Sequence, residues 1–407
     1  LFFNKQKTHI SFRQYWPEWF VSLASIIIVA PVIFVLDIFN STTNLLRSTP
    51  LLAIVVNCIV VSCLIVFAVA HFKHGIDKFE SIALLSVLGL TTLYFRSIAD
   101  SLVFWPSISW LIFFAAFFLP YASRNIVLSI FATGLAIQMI IALLLFTFQE
   151  NQFLTSSFGY RASGIMGSPN GIYPLSIISS FLFIKLASEK HTAAMKLLYI
   201  ALSIASLGTL IVTFSRGAYF GFGVGIVCAT FQYKRYRFIS LCFCIALSMV
   251  GILLRANGNL GAFIHDKSVL SRTTIWKQSY ELWMNKPLIG NGFEAFERID
   301  NNTLVSEPKN LLLSTLIDTG IFGLILSIII WTEIVFQSKK SMMNESITPL
   351  DRIISHTSFC SAVSLLSAGI FDTPIFSTPD RAAATVTLMV LAGMSLRIAS
   401  IKSASDP

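Results

Sequence analysis

Charge is scarce in this chain: of 407 residues only 12% are Asp, Glu, Lys or Arg, while 55% are hydrophobic. That balance excludes a soluble globular surface, which needs roughly a quarter to a third charged residues. Acid is scarcer than base, 20 against 29, and the net charge is +9. The cations nevertheless sit in short clusters between apolar runs, the distribution that orients membrane helices, and this argues against a nucleic-acid partner. Cysteine is thin too. Cys58, Cys63, Cys228, Cys242, Cys244 and Cys360 all fall within apolar runs, with no disulfide framework and no zinc spacing, so they read as inert packing residues. No secretory signal pattern opens the chain, and Leu1 in place of Met is expected to reflect a trimmed start. There is no internal repeat, low-complexity tract or linker, so residues 1–407 read as one membrane domain.

What is abundant is long apolar segments. A bilayer core of about 30 Å takes roughly 20 residues per helix. The sequence predicts an all-α, polytopic membrane protein of about twelve spans, near 17–39, 51–70, 80–95, 101–120, 126–148, 171–189, 197–214, 218–232, 239–254, 311–336, 353–371 and 382–399. Placing the N-terminus in the cytoplasm puts Lys73, Lys78, Arg124, Lys190, Lys196, the Lys234-Arg235-Tyr236-Arg237 cluster, Lys339, Lys340, Arg352 and Lys402 on one side. Both termini are then cytoplasmic. The two longest polar loops, about 149–170 and 255–310, face outward.

The outward side carries the residues that could do chemistry. In the long loop, Arg272, Trp276, Tyr280 and Trp283 recur every three or four residues, which predicts a helix with a cation and three aromatics on one face. Pro287 and Gly290-Asn291-Gly292 should end it. Such a helix suits either a roof over an active site or an amphipathic element at the lipid surface. Arg161 lies in a Gly- and Pro-rich edge, Tyr160-Arg161-Ala162-Ser163-Gly164 to Pro169-Asn170-Gly171, and Arg216 lies in the near-zero-length turn Ser215-Arg216-Gly217. A guanidinium at a membrane edge costs free energy unless it meets an anion or a headgroup. Asn310, Ser314 and Asp318, spaced by four, share one face of the tenth span. In the last outward turn Asp372 and Arg381 can pair with one another.

The order Arg161-x-x-Gly with Pro169-Asn170, then Ser215-Arg216-Gly217, then Arg272-x-x-x-Trp276 leading to Lys286-Pro287-Leu-Ile-Gly290-Asn-Gly292-Phe293, then Asn310-x-x-Leu313 with Asp318-x-Gly320, resembles the O-antigen ligase and polymerase superfamily. The resemblance implies a GT-C-like, multi-spanning glycosyltransferase of the bacterial inner membrane with a large periplasmic catalytic loop at 255–310. It further implies an undecaprenyl-diphosphate-linked glycan as donor and a lipid A-core or glycan acceptor, as in lipopolysaccharide biosynthesis. Polymerisation and protein O-glycosylation are alternatives within the family. A flippase and a scaffold of a glycan assembly complex are alternatives outside it. By this resemblance Arg161, Arg216 and Arg272 grip the donor diphosphate, a task that suits guanidiniums and needs no metal cofactor. Trp276, Tyr280 and Asn310 would bind glycan, and Lys309 and Asp318 join Arg216 and Arg272 as catalytic candidates. The family has His before the Asn of its third motif, whereas this chain has Lys309. Asp318, Glu307 or His265 are the candidates for the missing base, with the expectation favouring a carboxylate; the alternative is that Lys309 marks a substitution that disables the protein.

Overall fold

The computed structural model describes residues 121–148, 153–155, 159–162, 168–189, 192–231, 233–255, 267–292, 308–344, 346–374 and 381–403, with isolated positions among 109–119, 164 and 295–296. The first three expected spans and most of the fourth lie outside the described residues, as do His265, Glu307 and Asp380.

The remaining eight expected spans are helices. They are α1 (Tyr121–Thr147), α2 (Pro169–Ser188), α3 (Ala193–Val212), α4 (Arg216–Thr230), α5 (Lys234–Arg255), α7 (Leu311–Met342), α8 (Pro349–Ala368) and α9 (Ala382–Ser403), with α6 (Lys267–Asn285) in the long loop. By length and hydropathy four qualify as membrane-crossing, at Ser123–Thr147, Pro169–Ser188, Ala193–Val212 and Leu311–Met342. The all-α reading holds for the described bundle, beside which stands one short antiparallel hairpin, β1 (Phe153–Thr155) with β2 (Gly159–Arg161). Its three-residue strands are too short to leave a period in the sequence.

Capping explains where the helices begin. Ser168, Thr192, Asn310 and Thr348 each accept a hydrogen bond from a backbone N–H of the following turn, and α2 and α8 carry proline in the first turn. The helices then alternate in direction. The loops bearing Arg161 and Arg216 and the starts of α7 and α9 gather at one end, termed here the site end. Arg124, Lys185, Lys339, Lys340 and Arg352 collect at the other, the basic end. There Arg124 donates to Asp351 at 3.0 Å and to the carbonyl of Leu119, locking the start of α1 to that of α8.

The core is built around α8, which packs on α2, α4, α7 and α9. Its neighbours α2 and α9 are buried along most of their length, whereas α3 and α5 turn Leu197, Ile204, Phe238 and Ile245 outward, as lipid-facing helices do. The α4–α8 contact depends on glycine. Gly217, Gly221 and Gly225 are spaced by four and form a side-chain-free stripe; a Cβ on Gly221 would lie 2.3 Å from the Ser364 carbonyl oxygen. The cysteines belong to the same packing. Cys244 fills the space beside Gly223, and all four described cysteines are free. Gly221→Leu is expected to destabilise the bundle by about 3 kcal/mol through overpacking, measured as a lowered midpoint in reversible detergent unfolding, with Gly208→Leu on the looser α3 face as the mild control.

Helix α7 is bent. Leu311 N–H donates to Gly369 O at 2.8 Å, and the Ser338 and Ser358 hydroxyls lie 3.0 Å apart. At about 1.5 Å per residue the α7 stretch between those contacts would be about 40 Å long if straight, but the matching stretch of α8 is only about 16 Å. The bend falls at Gly320, whose φ of 69° and ψ of −169° leave the helical region for one that only glycine occupies readily.

Candidate active site

A helix break exposes backbone groups, and beside a membrane these need partners. The turn after α6 supplies them. Ile321 and Phe322 would ordinarily donate to the carbonyls of Ile317 and Asp318. Instead Ile321 N–H donates to Pro287 O at 2.9 Å and Phe322 N–H to Leu288 O at 3.2 Å, while the freed carbonyls of Ile317 and Asp318 accept from Asn291 N–H at 2.7 Å and Gly292 N–H at 2.9 Å. The Pro287-to-Gly292 turn is thus spliced into the hydrogen-bond ladder of α7. Backbones approach so closely that a Cβ on Gly290 would sit 2.4 Å from the Asp318 carbonyl, and one on Gly320 2.4 Å from that of Leu288. Asn291 secures the splice by donating to Leu282 O at 2.9 Å, and Trp283 Nε1 donates to Pro287 O at 3.1 Å. The second limb of α7, from Gly320 to Lys339, is about 28 Å long. That nearly matches the thickness of a hydrocarbon core.

Helix α6 lies over this junction with a small core of its own, formed by Ile275, Leu282, Ala295, Phe296 and Ile317, with Trp276 and Trp283 at its edges. The structure therefore divides the expected stripe. Trp276 is half-buried and its Nε1 donates to Pro308 O at 3.1 Å, Arg272 is half-buried one turn earlier, and Tyr280 is 52% exposed on the outer face, its ring 5.5 Å from that of Trp283. Burial follows Ile275-Ser279-Leu282, the face on which Ile275 and Leu282 cluster with Ile317.

Arg161 and Arg216 are brought to one turn. Arg161 Nε donates to Thr213 O at 2.7 Å, and the next residue, Ala162, donates to Val212 O at 3.0 Å, so the hairpin is fastened to the end of α3. Arg161 also acts electrostatically on Tyr219, whose hydroxyl donates to Ile211 O. Between α3 and α4 the chain reverses within Thr213-Phe214-Ser215, and Phe214 takes a φ of 49° to do so. Arg216 then opens α4, half-buried with Nη1 shut off from solvent, on a helix start that has no side-chain cap. A guanidinium and an uncapped helix N-terminus together favour an anion.

Asn310 joins the start of α7 to the end of α8. Its Oδ1 accepts from Leu313 N–H at 3.0 Å and its Nδ2 donates to Ile370 O at 2.9 Å, so its amide holds the junction in place. Lys309 before it is the other non-glycine described residue with positive φ, at 53°. Left-handed backbone thus lies two residues before Arg216 and one before Asn310, the kind of placement that marks functional turns. Asp372 and Arg381 do pair, at 3.6 Å, both almost fully buried; Arg381 also donates to the carbonyl and hydroxyl of Thr373, and Phe371 packs edge-on against Phe220 of α4.

Hydrogen bonds therefore connect the end of α8, the Lys309-Asn310 corner and, through Trp276, the helix that carries Arg272, while the turn holding Arg161 and Arg216 adjoins the end of α8 by packing, Gly217 beside Ala368 and Phe220 against Phe371. Sequence reasoning missed the splice and the glycine stripe of α4. The signal for the stripe was present in Gly217, Gly221 and Gly225.

Such a bundle, with helices long and apolar enough to cross a membrane and Arg161 and Arg216 brought to one turn, is that of a multi-spanning membrane protein. Residues 201–328 match the family model described as O-antigen ligase, and this match supports the O-antigen ligase superfamily, of membrane glycosyltransferases of the ligase and polymerase type, as the chain's kin. The matched segment includes Arg216, Arg272, Lys309, Asn310 and Asp318 and leaves out Arg161, Asp372 and Arg381. None of the curated proteins matches the chain.

Proposed function

We propose that the chain transfers a glycan from an undecaprenyl-diphosphate carrier to a hydroxyl acceptor, acting at the periplasmic face of a bacterial inner membrane with both termini in the cytoplasm. The first choice of acceptor is lipid A-core, making the chain an O-antigen ligase. The observation that carries the reading is the fastening of Arg161 to the Thr213 carbonyl, three residues before Arg216 at a start of α4 that has no side-chain cap, inside a chain whose 201–328 segment matches the family model described as O-antigen ligase. The collection of short basic loops at the opposite end supports the orientation.

In this mechanism Arg161, Arg216 and Arg272 bind the diphosphate oxygens. The acceptor hydroxyl oxygen forms a bond to the anomeric carbon as the bond from that carbon to the phosphate oxygen breaks. The electron pair leaves with the diphosphate, whose growing charge the guanidiniums stabilise without a metal. The hydroxyl proton passes to the Asp318 carboxylate, a weak base being sufficient when the leaving group is this well stabilised.

Lys309 here acts as a cation on the diphosphate rather than as a base. Lys309→His is therefore expected to lower transfer about tenfold at pH 8, the worth of one charge-assisted hydrogen bond. Below pH 6 the introduced imidazole becomes cationic, so the deficit should shrink. A purified transfer assay with labelled polyprenyl-diphosphate glycan, run across that pH range, checks it. A rate gain at pH 8 would instead make the imidazole the better base and overturn the role given to Asp318.

A further inference from the structure

The bend in α7 encloses a cavity of about 580 Å³ in its crook. One limb contributes Ser314 and Asp318, the other Ser327, Trp331 and Lys339, and α8 closes it with Ser367. The volume is that of a small-molecule site, and the wall is mainly apolar with hydroxyls interspersed. Three wall residues, Leu312, Ile328 and Phe336, are 51%, 51% and 60% exposed, so the cavity opens sideways on the lipid-facing side of α7. A ligand arriving that way comes from the bilayer.

Charge decides what kind of lipid fits at the site end. Asp318 is the acidic group in the wall there, and it would repel a diphosphate and accept a hydrogen bond from a hydroxyl. The anion-ready turn with Arg216 belongs to α4, which packs on the Ser364 and Ala368 face of α8, whereas the cavity uses the adjoining face with Val363, Leu366 and Ser367. Both reach the same end of α8, since Leu311 bonds Gly369 and Phe220 packs on Phe371. We propose, resting on the transferase reading above, that the crook of α7 is the acceptor site and admits a hydroxyl-headed glycolipid laterally, its headgroup at Asp318, while the donor is held on the α4 side. This makes the acceptor membrane-anchored, as distinct from a soluble glycan or a protein side chain.

Photolabelling the full chain in nanodiscs tests this with three probes that share a diazirine tail: an uncharged diglycosyl lipid, phosphatidylglycerol and a polyprenyl diphosphate. The glycolipid should label peptides from 311–339 and 363–367 at least fivefold more than phosphatidylglycerol does. Ser327→Phe, which fills the crook, should remove that labelling and leave polyprenyl-diphosphate labelling intact, whereas Arg216→Ala should do the reverse. Equal labelling by glycolipid and phosphatidylglycerol in the unaltered chain would reduce the crook to ordinary lipid contact and overturn the proposal even if Ser327→Phe fails to fold. Labelling of the crook chiefly by the diphosphate would also overturn it, by exchanging the two sides. Selective glycolipid labelling in a chain that transfers nothing would remove the transferase reading and leave the lipid site standing.

Discussion

Arg216→Ala is expected to cut glycan transfer by about 10²- to 10³-fold, the usual consequence of deleting one preorganised group that stabilises charge developing in a transition state. The expected loss is large because the guanidinium is built in. Arg216 begins a helix with no side-chain cap, and its Nη1 is shielded from solvent, so water cannot replace it without reorganising the turn. On the same reading Arg272→Ala should show a loss of the same order, Arg272 standing one turn before Trp276 on α6, which the Trp276 bond to Pro308 ties to the Lys309-Asn310 corner. Lysine at either position should restore only part of the rate, since an ammonium cannot grip two phosphate oxygens in the plane of a fork. Initial rates with a labelled polyprenyl-diphosphate glycan, compared at equal amounts of folded protein, give the answer. Rates within threefold of the unaltered chain for both alanine variants would dismiss the diphosphate grip.

The second large effect concerns backbone alone. Gly320→Ala and Gly290→Ala are each expected to destroy transfer and to lower stability measurably. At Gly320 the conformation itself costs a side-chain-bearing residue about 1–3 kcal/mol, and at both positions the added carbon would overlap a carbonyl at 2.4 Å. Four backbone hydrogen bonds between the turn and α7 depend on that approach. Losing them unseats α6 and shifts Asp318, whose carbonyl is held by Gly292 N–H. Melting of the purified protein in detergent, with cysteine accessibility of Thr273→Cys on α6, would register the change. Gly208→Ala, where a Cβ meets only Leu143 side-chain atoms at 3.7 Å or more, is the neutral control.

The helices of the described bundle were legible because a membrane span is written in composition: twenty apolar residues, a basic loop, twenty more. The turn at Arg216 was legible too, since Ser215-Arg216-Gly217 leaves no room for a longer connection, and the end of α6 followed from Pro287 and the glycines after it. The splice was not. Its bonds join backbone groups some 30 residues apart, and backbone pairing leaves no side-chain period to read; only Gly290 and Gly320 mark it. Which face of α6 is buried was not legible for a related reason. Arg272, Trp276, Tyr280 and Trp283 do align on a helix, yet burial is set by what lies beneath, and Ile317 selects Ile275 and Leu282, leaving Tyr280 outward. Asn310 was recognised as important, but its amide is engaged in capping α7 and bonding Ile370, a role that depends on where α8 ends.

The most direct test of the central claim is the mass of the acceptor after the purified full chain is incubated in nanodiscs with a defined polyprenyl-diphosphate glycan, a glycolipid acceptor and a metal chelator. The account predicts an acceptor heavier by the whole transferred glycan, with free polyprenyl diphosphate released in equal amount. An acceptor of unchanged mass, with the donor intact, would contradict it.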